Sequence, residues 1–422
     1  MNGRFDALTI AMTEKLFVHV DLGRGTCVLA GQLIVDEQRG RFKYSPKYLT
    51  HPRSFALDPI NLPLTEDVHS TVRTREAPGV FGVLLDAGPD EWGRRQLSKT
   101  RQPPPVTSVE FLLAASGEGV GALRYTSEVT EKAKPPAPRP FENLIHLQKI
   151  ADDIESGREV DQNLEPFFFH GSGLGGARPK TLIDHLDRHW IAKFGRSSDL
   201  VDMCKVEYAS MRMAADAGIE VPEVLLTQTA FGPVLLVERF DRSEEQQHHL
   251  VSVASLINKF DISQYDEAAM SYPGIFQLGN RIGTRSRDLA EDVFRRMLFN
   301  VAIGNTDDHL RNHSFMKQAG DAEYKLTPGY DIVPHTGLQG SHAIALGPFG
   351  NVPNQDNLLG AAKRLGLTAP RSVQIAGEID AVTKKWQEYM AEANVLPADI
   401  AILKRCFAYS ELITELASAD KA

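Results

Sequence analysis

The chain of 422 residues is long enough for two or three domains, and its 42% apolar and 24% charged residues are typical of globular proteins. Its formal net charge of −9 argues against a general nucleic-acid coat, and three widely spaced cysteines exclude a disulfide scaffold and a clustered cysteine zinc site. No apolar stretch approaches the ~18 residues that a membrane span needs, and the N-terminus lacks a signal-peptide pattern. We therefore expect a soluble cytoplasmic protein with no membrane association.

The first third of the chain is predicted to form β-strands and then a helix. Strands are predicted over residues 16–20, 27–35 and 40–44. Pro89 and the acidic residues after it indicate a helix over residues 89–99. Four prolines among residues 135–140 cannot lie inside a helix or a central strand, so we place a linker there. The sequence thus predicts an N-terminal subdomain over residues 1–134.

The second domain, over residues 135–240, is predicted to alternate between strands and helices around a glycine-rich turn. In order, the pattern predicts a helix (143–154), the turn (171–176), two strands (181–183 and 190–194), a helix (206–217) and two strands (224–228 and 233–240). Gly218 follows the second helix at the position of a C-terminal cap.

The third domain, over residues 241–422, is predicted to be mainly helical. Helices are predicted over residues 288–300, 357–365, 372–391 and 398–416. His248 and His249 follow the polar residues 244–247, and we expect both histidines to lie in a solvated loop.

The segment from Gly171 to Gly176 matches the G-x-G-x-x-G pattern, in which backbone N–H groups can approach phosphate oxygens closely. Pro179 stands where a Walker A loop needs a glycine before Lys180, and the strand predicted next disfavours a dinucleotide-binding loop, which opens a helix. A loop that folds over ATP between two strands, as in kinases, fits the pattern. A plain glycine turn is the alternative.

Two segments in the third domain carry polar residues with the spacing of a kinase active site. Asp307 and Asn312 have the D-x-x-x-x-N spacing of a catalytic loop, in which the Asp takes the hydroxyl proton and the Asn offers an oxygen ligand to Mg²⁺. Asp331 follows a predicted strand over residues 324–327, where a second metal-binding Asp would lie. A polar loop and a turn, each capped by an Asp, are the alternative.

Lys193 and Glu207 lie between the glycine-rich segment and Asp307 in the chain and add two further residue types of a kinase site. Lys193 lies on a predicted strand after the glycine-rich segment, and Glu207 lies in the helix that follows. In kinases a strand Lys reaches the phosphates and a helix Glu supports it. Exposed Lys and Glu residues are common, so the prediction depends on the whole order: glycine loop, Lys, Glu, Asp-x₄-Asn, Asp.

With these and further motifs, the sequence resembles HipA, a family of serine/threonine kinase toxins of bacterial toxin–antitoxin pairs. The matching motifs are Gly31-Gln32-Leu33, Phe42-Lys43-Tyr44, Pro89 to Arg95, Gly121 to Arg124, Gly175 to Lys180, Val237 to Arg242, Thr306 to Asn312 and Tyr330-Asp331. The resemblance covers most of the chain. It implies an α+β, two-lobed, protein-kinase-like fold with an added N-terminal β-rich subdomain and a mainly helical C-terminal lobe.

The resemblance also implies a site for ATP and Mg²⁺. It implies that Asp307 is the catalytic base, that Asn312 and Asp331 are the Mg²⁺ ligands, and that Lys193 contacts the phosphates. The other residues that it implies for cofactor binding are Gly175, Gly176, Ala177, Arg178, Pro179, Lys180, His309, Leu310, Arg311 and Tyr330, with Glu238, Arg239 and Phe240 at an adenine-binding hinge.

The family further implies a small DNA-binding antitoxin similar to HipB as partner, with DNA contacted only through that complex. It implies a protein substrate such as an aminoacyl-tRNA synthetase or another translation component. The family commonly carries a phosphorylated, inhibitory Ser where this chain has Gly173, and Ser172 lies one residue earlier as the candidate phosphosite. We expect that Ser172 does not replace it, because a one-residue shift in a tight loop redirects the side chain.

Two other functions fit part of the sequence. A metal hydrolase would use Asp307, Asp308, His309 and His313, with the two histidines on one helix face, but no third ligand is evident beyond this cluster. A catalytically weak kinase-fold scaffold would bind antitoxin and nucleotide. All five polar catalytic positions are present, which favours the active kinase.

Overall fold

The structure of the protein is a computed structural model. It describes residues 13–23, 25–74, 77–131, 133, 140–160, 178–243, 246–258, 270–284, 287–337 and 340–418. The glycine-rich segment and most of the predicted proline linker lie outside these ranges.

In the described residues, the N-terminal part of the chain forms a five-stranded antiparallel sheet. Its strands β1 (Glu14–Asp21), β2 (Cys27–Val35), β3 (Arg39–Tyr44), β4 (Val68–Val72) and β5 (Leu123–Thr126) lie in the order β4-β3-β2-β1-β5. Every second residue of β3 is buried, and Phe42 and Tyr44 pack in one core with Leu16 and Leu33. This burial follows from the alternation of side chains along a strand. The three strands predicted for this region are confirmed as β1, β2 and β3.

Short helices accompany this sheet. They are α1 (Pro46–Leu49), α2 (Gly82–Asp86), α3 (Glu91–Thr100) and α4 (Ser108–Ala114). The helix predicted over residues 89–99 is α3, and it begins after Asp90. The Oδ1 atom of Asp90 accepts a hydrogen bond of 2.7 Å from the backbone N–H of Gly93, so Asp90 caps the helix and fixes where it starts.

Helix α5 (Leu144–Glu155) and a second antiparallel sheet follow. In the described part this sheet has the order β6-β7-β9-β8, from β6 (Lys180–His185), β7 (Arg188–Phe194), β8 (Val224–Thr229) and β9 (Gly232–Glu238), and α6 (Met203–Asp216) packs on β8 and β9. Trp190, Ala192 and Phe194 of β7 share a core with residues of α5. Lys193 alternates with them and therefore leaves the opposite face of the sheet. Gly218 has a φ of +79° after α6, as expected for a cap.

The C-terminal part is mainly helical, as predicted. Within the described ranges, a small sheet of β10 (His249–Ser252), β11 (Ser314–Lys317) and β12 (Lys325–Leu326) is accompanied by α7 (Val253–Leu256), α8 (Tyr272–Arg281), α9 (Arg287–Ile303), α10 (Gln355–Arg364), α11 (Ala369–Thr383), α12 (Trp386–Glu392), α13 (Pro397–Leu403) and α14 (Ser410–Ser418). The helices predicted over residues 288–300 and 357–365 are α9 and α10. None of the helices that the structure describes is both long and apolar enough to cross a membrane.

Two longer predicted helices are each broken. Residues 372–391 lie in α11 and α12, since the first helix ends at Thr383 and the second begins at Trp386, which stacks on Phe407 with ring centroids 4.1 Å apart. Residues 398–416 form α13, a 3₁₀-helix (Cys406–Tyr409) and α14. Apolar periodicity does not reveal these breaks because the segments on both sides face the same core.

The prediction that His248 and His249 are solvated is wrong. The two residues are 5% and 1% exposed, and Nε2 of His249 lies 2.7 Å from the carbonyl oxygen of Leu57. Strand β10, which contains His249, pairs with β11 and packs against α2, so the histidines lie between the N-terminal and C-terminal parts.

The α+β fold class and the predicted order of its parts are confirmed: a β-rich N-terminal part, a sheet with packed helices, and a mainly helical C-terminal part. The domain boundaries after residues 134 and 240 stay predictions.

Candidate functional site

The ammonium of Lys193 connects three separate elements of the fold. On β7, its Nζ lies 2.5 Å from Oε1 of Glu207 in α6 and 2.9 Å from Oδ1 of Asp331, which follows β12 in the chain. The side chains of Lys193 and Glu207 are 14% and 6% exposed, whereas that of Asp331 is 41% exposed. The predicted Lys–Glu pair is therefore present, and of the three side chains that of Asp331 is the most exposed; we call the region around Lys193 and Asp331 the cleft.

The charges of this cluster shift the pKa of its members. Burial alone would lower the pKa of Lys193, but the carboxylates of Asp331 and Glu207 outweigh burial and raise it. The Lys193 ammonium holds the pKa of Asp331 at about 2, against the effect of burial, and Lys180 adds to this lowering. Both Lys193 and Asp331 are thus charged over the physiological pH range.

Asp331 has a backbone conformation that is unusual for a residue other than glycine. Its φ is +57°, in the left-handed region. The residue before it is anchored, because the Tyr330 hydroxyl donates a hydrogen bond of 2.7 Å to the carbonyl oxygen of Arg311 and lies 2.8 Å from Oγ of Ser314. Such strain is characteristic of functional positions, where surrounding contacts maintain it.

The predicted catalytic loop leaves its two functional side chains available. Asp307 is exposed, and its carboxylate makes no hydrogen bond or ion pair with any residue that the structure describes. Asn312 ends a 3₁₀-helix (Leu310–Asn312), is 8% exposed, and its side-chain amide likewise has no partner in the described ranges. Since Tyr330 contacts Arg311, this loop and Asp331 are held against each other.

Asp308 anchors the loop to the protein interior through buried hydrogen bonds. Its Oδ2 accepts hydrogen bonds from the Tyr272 hydroxyl, from Nδ2 of Asn300 at 2.8 Å and from Nε2 of His313 at 2.8 Å. Burial would raise the pKa of Asp308, but His313 and the hydrogen bonds outweigh it and lower the pKa. From the sequence, Asp308 is predicted only as a hydrolase ligand, and the one signal for its anchoring role is its place beside Asp307.

The metal-hydrolase alternative does not fit this geometry. His309 precedes the 3₁₀-helix and His313 follows it in an extended conformation, so the two histidines do not share a helix face. His313 is 3% exposed and contacts Asp308. Among the described residues no group of three or more His, Cys, Asp or Glu side chains could hold a metal ion.

The predicted hinge residues have different environments. Phe240 stacks on Tyr330 with ring centroids 5.7 Å apart, which places its ring beside Asp331. Glu238 pairs with Arg188 at 3.1 Å, and Arg239 is buried against Asp241 at 2.7 Å. The side chains of Glu238 and Arg239 are therefore engaged in ion pairs within the protein, and of these three residues only Phe240 directs its side chain to Tyr330, next to Asp331.

The residues predicted around the phosphates are only partly described. Arg178 pairs with Asp199 at 2.8 Å, and Lys180 is buried and pairs with Asp90 at 2.9 Å. Burial lowers the pKa of Lys180. Pro179 is buried, Leu310 is 5% exposed, and His309 and Arg311 are exposed. The predicted site residues Gly175, Gly176, Ala177 and Ser172, together with Gly173, lie outside the residues that the structure describes.

Hydrogen bonds to the N-terminal part stabilise the residues that follow β9. Arg239 and Arg242 both donate to the carbonyl oxygen of Gly119, at 2.8 and 2.9 Å, and Asp241 accepts from the backbone N–H of Gly121 at 2.7 Å. This buried network fixes the segment that carries Phe240. As a whole the site offers a lysine for phosphates, a carboxylate and an amide oxygen for a hard cation, and an exposed carboxylate for a hydroxyl group.

Comparisons with known proteins agree with this arrangement. Residues 26–126 match the model of the HipA N-terminal domain, and residues 172–386 match that of the HipA-like C-terminal domain. "Putative kinase Y4dM" of Sinorhizobium fredii is 31% identical over 172 residues, which cover 37% of this chain and 40% of that protein. A "Putative kinase" of Haemophilus influenzae is 26% identical over 215 residues, which cover 46% of this chain and 62% of that protein. The chain therefore spans about half the length of these curated relatives.

A solved structure shows the same fold. A chain of the Shewanella oneidensis toxin–antitoxin complex of HipA, HipB and operator DNA superposes with a TM-score of 0.65 at 17% identity. The match covers 96% of this chain and 99% of that chain. The expected two-lobed fold with an added N-terminal subdomain is thereby confirmed.

Proposed function

Because the chain belongs to the HipA family, we propose that it is a serine/threonine protein kinase that uses ATP and Mg²⁺. One observation carries the proposal: the Lys193 ammonium lies between the carboxylates of Glu207 and Asp331. These are the strand lysine, helix glutamate and late aspartate that a kinase brings together around the phosphates.

The residues at the cleft fit a nucleotide with its metal ion. Lys193 would neutralise phosphate oxygens, and Glu207 keeps its ammonium in place. Asn312 and Asp331 would hold Mg²⁺, which prefers oxygen ligands, and the Asn312 side chain has no other partner among the described residues. When bound, Mg²⁺ neutralises charge on the β- and γ-phosphates.

Asp307 would act on the protein substrate. Its exposed carboxylate can accept a hydrogen bond from a Ser or Thr hydroxyl and take its proton as the oxygen attacks the γ-phosphate. Asp308 supports this role because its contacts with Tyr272, Asn300 and His313 fix the backbone next to Asp307.

We also propose that the protein is the toxin of a toxin–antitoxin pair. The solved structure with the same fold was determined with HipB and operator DNA, which supports a small DNA-binding antitoxin as partner and DNA contact through that complex. An aminoacyl-tRNA synthetase or another translation component as substrate follows from the family resemblance alone.

Incubation of the full chain with γ-labelled ATP, Mg²⁺ and a bacterial lysate tests the kinase proposal. We expect Mg²⁺-dependent labelling of one or a few proteins on Ser or Thr, to be identified by mass spectrometry. The Asp307→Asn variant, matched in size, should label these proteins roughly 10²–10⁴-fold more slowly. Absence of transfer by the wild type, although it binds ATP, would favour the scaffold alternative.

A further inference from the structure

Helix α3 of the N-terminal part contacts the second sheet at Lys180. Asp90, which caps α3 through Oδ1, places its Oδ2 atom 2.9 Å from Nζ of Lys180. Trp92, in the first turn, donates a hydrogen bond of 3.0 Å from Nε1 to the carbonyl oxygen of Lys180. The start of α3 therefore holds both the side chain and the main chain of this lysine.

This contact is closed to water. The side chains of Asp90 and Lys180 are each 4% exposed, and Trp92 is 1% exposed. A buried ammonium needs a hydrogen-bonded carboxylate to remain charged in the interior. Asp90 therefore fixes the charge of Lys180 as well as its position.

Lys180 lies beside the residues of the candidate site. It pairs directly with Lys193 across β6 and β7, so both side chains leave the same face of the sheet, with Cβ atoms about 5 Å apart. Like charges directly opposite each other destabilise a sheet. Here Asp90 neutralises Lys180 and Asp331 neutralises Lys193, so each of the two neighbouring lysines has a carboxylate of its own.

We propose that Asp90 and Trp92 are positioning residues that hold Lys180 as a fixed cation for the nucleotide phosphates. The N-terminal subdomain then contributes to the affinity for a triphosphate without touching it. This inference rests on the proposed function, because it takes ATP as the ligand of the cleft.

Binding of MgATP and of adenosine to the full chain separates this role from a merely structural one. We expect Asp90→Asn to weaken MgATP binding about tenfold while adenosine binds as to the wild type, because adenosine has no phosphates. Trp92→Phe keeps an aromatic ring in the core and removes one hydrogen bond, so it should show a smaller loss in the same direction. In a Lys180→Met background, Asp90→Asn should cause no further loss, since Asp90 acts through Lys180.

Asp380→Asn is the matched control. Asp380 of α11 is 9% exposed and pairs at 2.6 Å with Lys384, the residue that follows the helix, so the variant removes the charge of another buried carboxylate and should bind MgATP normally. Unchanged MgATP affinity in Asp90→Asn, or an equal loss for MgATP and adenosine, would overturn the inference. If Asp90→Asn does not fold, Trp92→Phe decides by the same comparison. A wild type that binds no MgATP would instead count against the proposed function.

Discussion

Replacing Asp308 by alanine should damage the catalytic loop in a way that can be measured separately from general loss of stability. The change removes the common acceptor of three buried donors, on Tyr272, Asn300 and His313. A hydrogen bond to a charged group contributes about 1.5–3 kcal/mol, and breaking a buried charged pair by removing one partner costs about 3–5 kcal/mol. Because the three hydrogen bonds share one acceptor, their contributions do not simply add, and we expect a loss of about 3–5 kcal/mol in the free energy of unfolding.

The informative comparison is with Asp58→Ala. Asp58 is 1% exposed and also accepts three hydrogen bonds, from the backbone N–H groups of Ile60 and Asn61 and from Nδ2 of Asn61. Both variants should unfold at lower denaturant concentration than the wild type. At a temperature where both are folded, only Asp308→Ala should lower kcat, about tenfold or more, because only Asp308 adjoins Asp307. Wild-type kcat in Asp308→Ala, or an equal fall in Asp58→Ala, would refute the anchoring role.

Three further outcomes are expected. Asp307→Asn should lower phosphoryl transfer roughly 10²–10⁴-fold with MgATP affinity nearly unchanged, and transfer close to the wild-type rate would remove Asp307 from the mechanism. Asp331→Ala should weaken Mg²⁺-dependent nucleotide binding in calorimetry more than Asp307→Asn does, and equal affinities in the two variants would contradict its role as a ligand. Burial raises the pKa of Asp58 to about 6, so the folded protein keeps a proton that the unfolded chain has released. The free energy of unfolding should therefore fall by roughly 2–3 kcal/mol as pH rises from ~4 to above ~6. Asp58→Asn should remove this slope in denaturant titrations, and an identical slope in both proteins would exclude Asp58 as its source.

The sequence predicts best where a short segment carries the whole signal. Strand β2 has the predicted bounds, because its apolar run is flanked by turn residues on one side and acids on the other. Asp307 and Asn312 are five residues apart, so their spacing alone suggests the chemistry. Lys193 follows from strand alternation, since Trp190, Ala192 and Phe194 occupy the buried face.

The sequence fails where distant segments determine a residue's surroundings. Tyr272 and Asp308 are 36 positions apart, and Asp90 and Lys180 are 90 apart, so no local pattern connects them. The break between α11 and α12 is accompanied by the stacking of Trp386 on Phe407, a contact that apolar periodicity does not encode. His249 has a polar segment before it in the chain, but strand pairing places it in the interior.

In this structure Lys193 and Asp331 serve as counterions for each other. Under the proposed function, a nucleotide would enter by exchange: phosphate oxygens would take the place of Asp331 beside Lys193, and Asp331 would instead hold the divalent cation. Phosphate without the cation would leave the Asp331 carboxylate facing a polyanion, and the cation without phosphate would lie near a lysine that has lost its counterion. Each ligand would raise the affinity for the other, and this coupling must be equal in both directions. The ion pair would thus make the cleft selective for the metal–nucleotide complex over either component alone.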